Sequence, residues 1–260
     1  MVAGQDEFLA ESQGSEIIRK IRARTPARIL VGRSGAAYRT KTQIDLREAH
    51  AAARDAVRAE LDLERDLGAA FRNQWNLFEV CTQAVSKDQY LLRPDLGRHF
   101  NNEARTIITK RCPIEKNLQI VIGDGLSVTA ISAQIPALLP LLHQGAKARN
   151  WSIGQTFVVR YCRVGILNEI GELLAPHVAI LLIGERPGLA TAESLSAYLA
   201  YRPQKTHTDA DRNLISNIHS RGLSPQEAAQ RILSLAAQMM AVRTSGCQLR
   251  EELPLPAALE

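Results

Sequence analysis

The sequence lacks any hydrophobic run long enough to cross a membrane, because no apolar stretch reaches the roughly 18 residues that a membrane span requires. Its N-terminus also lacks the order of basic, apolar and small residues that makes up a signal peptide. We therefore expect a cytoplasmic protein that does not bind membranes.

Cysteines and aromatic residues are also scarce. The four cysteines are scattered, with no CxxC pair and no histidine at metal-ligand spacing, which predicts reduced, mostly buried thiols and no protein-bound metal. Aromatic residues make up only 5% of the chain, and its basic residues are interleaved with acidic ones, so no nucleic-acid surface is predicted. The net charge of +5 instead suits an acidic partner chain or a phosphate-bearing cofactor.

The common catalytic signatures are missing as well. The sequence contains no nucleophile elbow, HExxH helix or Walker loop, and no GxGxxG motif follows a strand-like run. The short stretch Gly32-Arg-Ser-Gly35 has too few glycines for a phosphate-binding loop and lacks the Lys-Ser/Thr that should follow. These absences argue against the enzyme classes that such motifs identify.

Three apolar runs dominate the second half of the chain, and each ends in a short polar turn. The runs begin at Leu118, Phe157 and Val178. Continuous β-branched and leucine runs indicate strands buried on both faces, as parallel strands are beneath covering helices. Because ligands of open parallel sheets bind at the carboxyl ends of the strands, the turns that contain Asp124, Arg163 and Glu185 are predicted to contact a ligand.

The pattern of elements divides the chain into four parts. Residues 1–24 are predicted to be a flexible lead-in, and residues 25–112 a smaller, mainly helical N-terminal region. Residues 113–250 alternate strand and helix, which predicts a three-layer, Rossmann-like α/β domain with a mostly parallel sheet. Residues 251–260 contain two prolines and are predicted to be a disordered tail.

Several helices are predicted from apolar stripes and caps. Asp95 is the expected cap of one of them, and Ser224 with Pro225 marks the start of the last one. The predicted helices cover Lys41 to about Leu67, Gly97 to Arg111, residues 127–144 and 168–174, a segment starting near Thr191, and the segment after Ser224. The predicted strands are 118–122, 157–161, 178–183 and 198–201.

Two carboxylates offer a candidate chemistry that needs no partner chain. Asp124 and Glu185 end neighbouring strands and, as an acid–base pair, would make a stand-alone α/β hydrolase or lyase. No nucleophile or metal-binding set accompanies them, so the favoured interpretation is that each accepts hydrogen bonds from backbone amides or from a ligand hydroxyl.

One histidine lies in a pattern that resembles a metal-binding signature. Asn217-Ile-His219-Ser-Arg-Gly222 resembles the D-x-H-x-x-G motif with which some cobalamin proteins supply a histidine to cobalt. Here the first position is Asn, so the charged group that would orient the imidazole is absent. His219 is therefore not predicted to be an axial ligand.

A series of short segments, in order along the chain, matches one family. The chain resembles the small (light) subunit of ethanolamine ammonia-lyase, a coenzyme B12 enzyme, from about residue 25 to residue 250. The matching segments are Gly32-Arg-Ser-Gly35, Tyr90-Leu-Leu-Arg-Pro-Asp-Leu-Gly-Arg98, Val121-Ile-Gly-Asp-Gly-Leu-Ser127, Arg160-Tyr-Cys-Arg-Val164, Ile170-Gly-Glu172, Ile183-Gly-Glu-Arg-Pro-Gly-Leu189, Glu193-Ser-Leu-Ser196, Asp211-Arg212 and Ile215-Ser-Asn-Ile218.

The resemblance implies a chain that acts only with a partner. In the family, adenosylcobalamin lies between this subunit and a large, barrel-shaped subunit that binds ethanolamine. Radical chemistry in the complex then yields acetaldehyde and ammonia. The corrin keeps its own benzimidazole as lower ligand, and the small subunit supplies part of the cofactor bed and no catalytic residue. The sequence leaves open whether the complex is enclosed in a bacterial microcompartment.

Carried over by motif, the cofactor contacts fall on Val164, Glu185 and Leu214. Glu185 can accept hydrogen bonds from corrin amides or ribose hydroxyls, while Val164 and Leu214 can cover the corrin or the benzimidazole by apolar contact. Leu214 stands where some relatives carry cysteine, so its contact is predicted to come from backbone or packing. The remaining polar candidates, predicted to be structural or interfacial, are Arg163, Asp124, Ser127 and Arg212.

Two other interpretations stay open beside the resemblance. One is the stand-alone hydrolase or lyase, which would show activity without a partner. The other is a structural adaptor, which would co-purify with a large subunit without cofactor dependence.

Overall fold

A six-stranded sheet between two layers of helices forms the core of the computed structural model, which describes residues 16–23, 29–188 and 190–251. The strands are β1 (Arg33–Ser34), β2 (Ala37–Tyr38), β3 (Glu79–Cys81), β4 (Leu118–Gly123), β5 (Phe157–Arg160), β6 (Val178–Gly184), β7 (Leu195–Tyr201) and β8 (Asn213–Ile218). The first two form a separate hairpin, and the rest are ordered β3-β5-β4-β6-β7-β8. Within this sheet β7 runs in the direction opposite to the other five strands. The predicted α/β fold with a mostly parallel sheet is confirmed.

Helices cover both faces of the sheet. They are α1 (residues 16–23), α2 (Thr40–Arg58), α3 (Leu63–Leu67), α4 (Ala69–Gln74), α5 (Lys87–Leu92), α6 (Asn102–Arg111), α7 (Val128–Ala148), α8 (Ile166–Leu174) and α9 (Pro225–Val242). Along β4, Ile120 and Ile122 join the cluster that contains α7 and α9, while Val121 joins the cluster that contains α6 and α8. This alternation is that of a strand buried on both faces. Burial on both faces therefore explains the apolar runs of β4 and β6, as predicted.

The prediction of a helix starting near Thr191 is wrong. Residues 190–194 carry no regular helix, and strand β7 begins at Leu195. Its side chains alternate with period two: Leu195 and Ala197 lie in the core cluster on the α7 and α9 side, whereas Tyr198 packs against the opposite cluster. Pairing with β6 along seven residues therefore outweighs the local helical signal.

Two predicted helices differ from the observed ones. The helix predicted from Lys41 to Leu67 is broken after α2, because Asp62 caps a new helix, α3, by accepting hydrogen bonds from the amides of Glu64 and Arg65. The helix predicted over Gly97–Arg111 begins only at Asn102, and its expected cap, Asp95, makes no capping bond. Instead it pairs with Arg93, and Asn101 caps α6. The predicted cap Ser224 and first-turn Pro225 of α9 are confirmed.

The N-terminal part predicted to be mainly helical also contributes a strand. β3 pairs in parallel with β5 and forms one edge of the main sheet. The predicted lead-in lies outside the described residues except for 16–23, as does the predicted tail except for residue 251. Among the helices in the described ranges, none combines the length and hydropathy of a membrane span.

Candidate functional site

A cavity of about 370 Å³ opens at the carboxyl edge of the sheet. The neighbouring strands β4 and β5 are followed by helices α7 and α8, which pack on opposite faces, and such a change of side opens a crevice at the strand ends. The residues that line the cavity are Tyr90, Gly125, Leu126, Cys162, Arg163, Val164, Ile183, Gly184, Glu185, Arg186, Ser196, Tyr198, Leu214 and Ser216.

The three predicted contact residues meet in this cavity. Val164 comes from the turn after β5, Glu185 directly follows β6, and Leu214 belongs to β8. They are brought together by the order of strands in the sheet, since long stretches of sequence separate them. The prediction that they contact a cofactor is compatible with this arrangement and stays a prediction.

Glu185 presents a fixed carboxylate to the cavity. Its Oε1 atom accepts a hydrogen bond of 2.6 Å from the Ser196 hydroxyl and one of 2.9 Å from the backbone N–H of Asn217. Strands β7 and β8 thus hold the side chain in place. Oε2 has no hydrogen-bond partner among the residues that the structure describes, so it can accept a bond from a ligand amide or hydroxyl.

The turn that presents Val164 is held by a buried carboxylate. Asp124, only 1% exposed, accepts hydrogen bonds of 2.9 Å from the backbone amides of both Tyr161 and Cys162. Burial raises the pKa of Asp124, while Lys87 and these two amides lower it. The carboxylate therefore links the end of β4 to the turn after β5, which fixes the wall of the cavity at Val164.

The acid–base pair that a stand-alone hydrolase would need is not assembled. Glu185 lines the cavity, but Asp124 does not, and both of its oxygens already accept backbone bonds. Asp124 is a positioning residue for the backbone and has no oxygen left for substrate.

Glycines allow the ends of β4 and β6 to approach closely. Gly125 has a φ of 57°, and a Cβ built on it would overlap the carbonyl oxygen of Gly184. A Cβ on Gly184 would in turn overlap the carbonyl oxygen of Ser127. Both residues line the cavity, so this part of its wall is backbone packed too closely for any residue with a Cβ atom.

Arg163 and Tyr90 form the side of the cavity that faces α5. The Arg163 guanidinium lies 4.2 Å from the centre of the Tyr90 ring, and its Nη2 donates to the Tyr90 carbonyl oxygen at 3.2 Å. The Tyr90 hydroxyl donates to the carbonyl oxygen of Cys162 at 2.9 Å. This stacking and these bonds hold the turn after β5 from the other side.

Two other polar residues singled out from the sequence lie beside the cavity. Ser127 is buried, caps α7 and donates a 2.5 Å hydrogen bond to the carbonyl oxygen of Ala192. Arg212 lines a neighbouring, larger cavity. Ser127 is therefore structural here, as predicted from the sequence.

His219 is not available to a metal. It is 2% exposed, its Nε2 lies 2.8 Å from Oδ1 of Asn217, and its Nδ1 accepts a bond from the amide of Arg221. Both ring nitrogens are thus engaged within the loop. In the part of the chain that the structure describes, no group of three or more His, Cys, Asp or Glu side chains could hold a metal ion.

Sequence reasoning missed the side of the cavity formed by β7. Ser196 and Tyr198 line it from alternate positions of that strand. The period-two pattern of Leu195-Ser-Ala-Tyr-Leu199 is the signal that could have found them. It was overlooked because a helix was predicted to start at Thr191.

The arrangement suits a bound molecule that is partly apolar and partly polar. Leu214 is 47% exposed and, with Val164, offers an apolar surface, while Oε2 of Glu185 and the hydroxyls of Ser196 and Ser216 offer polar contacts. A cavity of about 370 Å³ falls within the range of small-molecule sites. It is too small to enclose a corrinoid, so most of such a ligand would lie outside the cavity.

Comparison with known proteins gives one consistent family. A family model described as ethanolamine ammonia-lyase light chain (EutC) matches residues 15–250. The ethanolamine ammonia-lyase small subunit of Clostridium perfringens is 42% identical over 231 residues, which cover 89% of this chain and 76% of the relative. The small subunit of Clostridioides difficile is 41% identical over 230 residues (88% and 76%), and that of Clostridium acetobutylicum is 39% identical over 235 residues (90% and 95%).

Proposed function

Since the chain belongs to the ethanolamine ammonia-lyase light-chain family, we propose that its cavity forms one side of an adenosylcobalamin site that a large subunit completes. When bound, this cofactor supplies the radical chemistry by which the enzyme converts ethanolamine to acetaldehyde and ammonia. In this proposal the small subunit contributes to holding the cofactor in place.

The convergence of Val164, Glu185 and Leu214 on one cavity carries the proposal. The three residues belong to separate motifs of the family resemblance, which lie far apart along the chain. Oε2 of Glu185 is positioned to accept a hydrogen bond from a corrin amide or a ribose hydroxyl. Val164 and Leu214 cover apolar surface of the cofactor, and this contact excludes water from it.

The residues around the cavity fit a large, neutral and partly apolar group. The cavity is open, and its lining combines the Glu185 carboxylate, the two arginines Arg163 and Arg186, two serine hydroxyls and apolar side chains. Cobalt in a cobalamin is already bound by the corrin, so the engagement of both His219 nitrogens within its own loop does not conflict with the proposal.

The proposed partner is the large subunit of the same enzyme. The relatives are named small subunits, and the cavity is too small to enclose a corrinoid by itself. The site is therefore proposed to be complete only in a hetero-oligomer.

Reconstitution tests this function directly. Acetaldehyde release from ethanolamine would be measured with adenosylcobalamin for this chain alone, for the large subunit alone and for the mixture. Activity confined to the mixture, and lost without the cofactor, is the expected result. Assembly of the two chains without any cofactor-dependent activity would favour a structural adaptor instead.

A further inference from the structure

A second cavity, of about 1000 Å³, opens directly beside the first. The two share Arg163, Val164 and Tyr198, so these side chains form a common wall. A ligand too large for the first cavity can therefore extend across this wall into the second.

Positive charge dominates the lining of the second cavity. Its cationic side chains are Arg98, Arg105, Arg163, Lys205 and Arg212, and its carboxylates are Glu169, Glu172 and Asp209. The side chains of His99 and His207 also line it. Two of these carboxylates already pair with basic side chains of the same cavity. Glu169 accepts hydrogen bonds from Arg105, His99 and the amide of Phe100, and Asp209 pairs with Arg212.

Arg98 and Lys205 have no such partner. Neither side chain makes an ion pair with any residue in the described ranges, and both are exposed. The stem of Arg98 packs against the backbone at Gly165, where an added Cβ would come within 2.9 Å of Cγ of the arginine. This contact sets the arginine beside Val164 at the boundary between the cavities.

Arg212 is the anchored member of this group. Its side chain is only 4% exposed, and its Nη2 donates to Oδ1 of Asn168 at 2.8 Å. Its Nε is buried without an acceptor in the described part of the chain. Burial lowers the pKa of Arg212, Asp209 raises it, and Arg98 lowers it again. The guanidiniums of Arg212 and Arg98 repel each other, and an anion bound between them would offset this repulsion.

We propose that the second cavity is an anion subsite, formed chiefly by Arg98, Lys205 and Arg212, that receives the phosphodiester of the cobalamin nucleotide loop. The proposal rests on the proposed function, because the corrinoid in the first cavity is what brings the phosphodiester across the shared wall. Arg212 directly precedes β8, whose second residue is Leu214, so one segment of chain serves both cavities.

Two probes separate this subsite from the corrin site. Cyanocobalamin contains the phosphodiester, whereas dicyanocobinamide has the same corrin without phosphodiester or benzimidazole. Dissociation constants for both would be measured by equilibrium dialysis on the assembled apoenzyme. The chains compared are the wild type, Arg212→Gln and the double variant Arg98→Gln/Lys205→Gln. Lys110→Gln, at an exposed position of α6, is the control and removes the same single charge as Arg212→Gln.

The double variant is expected to weaken cyanocobalamin binding by at least about tenfold and to leave cobinamide binding within about twofold. Because its two side chains are exposed, this variant keeps the test valid even where Arg212→Gln fails to fold. Equal weakening of both probes, or no weakening of either, would overturn the subsite. Weaker association of the two subunits with unchanged cobalamin affinity would instead make this cavity a contact for an acidic segment of the partner. If the wild-type assembly bound neither probe, the proposed function itself would fail.

Discussion

Oδ1 of Asp124 accepts a hydrogen bond of 2.9 Å from the backbone N–H of Cys162, and this bond ties together the ends of two neighbouring parallel strands. The other carboxylate oxygen binds the amide of Tyr161 in the same way. The turn that follows carries Arg163 and Val164 into the candidate site. A buried acid thus shapes the cavity without entering it.

Asp124→Asn tests this link. The amide would keep one acceptor oxygen and set its NH₂ group against a backbone N–H, so a buried donor would lose its partner. We expect a loss of about 1–3 kcal/mol in the free energy of unfolding, measured by urea denaturation of the chain. Asp55→Asn, on the exposed surface of α2, is the control and should change little. Unaltered stability of Asp124→Asn would show that the two bonds do not hold the turn.

Gly184→Ala and Gly188→Ala form a matched pair within one motif. A Cβ at Gly184 would overlap the Ser127 carbonyl oxygen, whereas a Cβ at Gly188 has no neighbour within 4 Å in the described ranges of the chain. We expect Gly184→Ala to lower the melting temperature by several degrees and to weaken cobalamin binding by the assembled enzyme. Gly188→Ala should leave both unchanged. Equal behaviour of the two variants would contradict the close approach of the strand ends.

Leu214→Ala tests the apolar side of the site. Leu214 is 47% exposed in the chain, so trimming it should cost little folding stability, yet it should remove apolar contact with a bound cofactor. The expected effect is a loss of roughly 1 kcal/mol in cobalamin binding, about fivefold in Kd, by equilibrium dialysis. Val242→Ala, which trims a side chain 61% exposed at the end of α9, serves as control. A full loss of binding, or none, would argue against simple apolar covering.

Alkylation of the cysteines should follow their burial and their pKa. Burial raises the pKa of Cys112 to about 12 and that of Cys162 well above its usual value, and burial, then Glu79, raises that of Cys81. A raised pKa keeps a thiol protonated at pH 8, and only the thiolate reacts readily. Iodoacetamide at pH 8 should therefore modify the exposed Cys247 first, as read by peptide mass spectrometry. Comparable early labelling of Cys112 or Cys162 would contradict the described packing.

The central strands were predictable because their sequence is dictated by burial on both faces. In β4 and β6 every residue is buried, so the apolar runs themselves mark the strands. Only the second half of β7 was predicted, as the strand 198–201. Its first half was missed because Thr191-Ala-Glu-Ser-Leu195 resembles the start of a helix, while the pairing that fixes it as a strand lies with β6 and β8. Local sequence cannot report such pairing.

The site was predictable only in part for the same reason. Resemblance selected Val164, Glu185 and Leu214, and the parallel strands predicted the turns near Val164 and Glu185 at one edge of the sheet. No local signal brings Leu214 to that edge, because its position comes from the strand order β5-β4-β6-β7-β8. The role of Asp124 was predicted in part. Its place after a strand suggested a functional carboxylate, and backbone bonding was the favoured interpretation, which the structure bears out. The sequence indicated the second cavity only through its surplus of positive charge.

The most direct test of the account compares the affinity of the assembled apoenzyme for cobalamin between Glu185→Ala and Glu193→Ala. Both variants remove one carboxylate from the segment between β6 and β7, but only Glu185 lines the cavity, and the Glu193 side chain is exposed. We expect Glu185→Ala to weaken binding by roughly tenfold, through loss of a hydrogen-bond acceptor, while folding and subunit assembly are kept. Glu193→Ala should bind as the wild type does. Equal affinities for Glu185→Ala and wild type would contradict the claim that this cavity holds the cofactor.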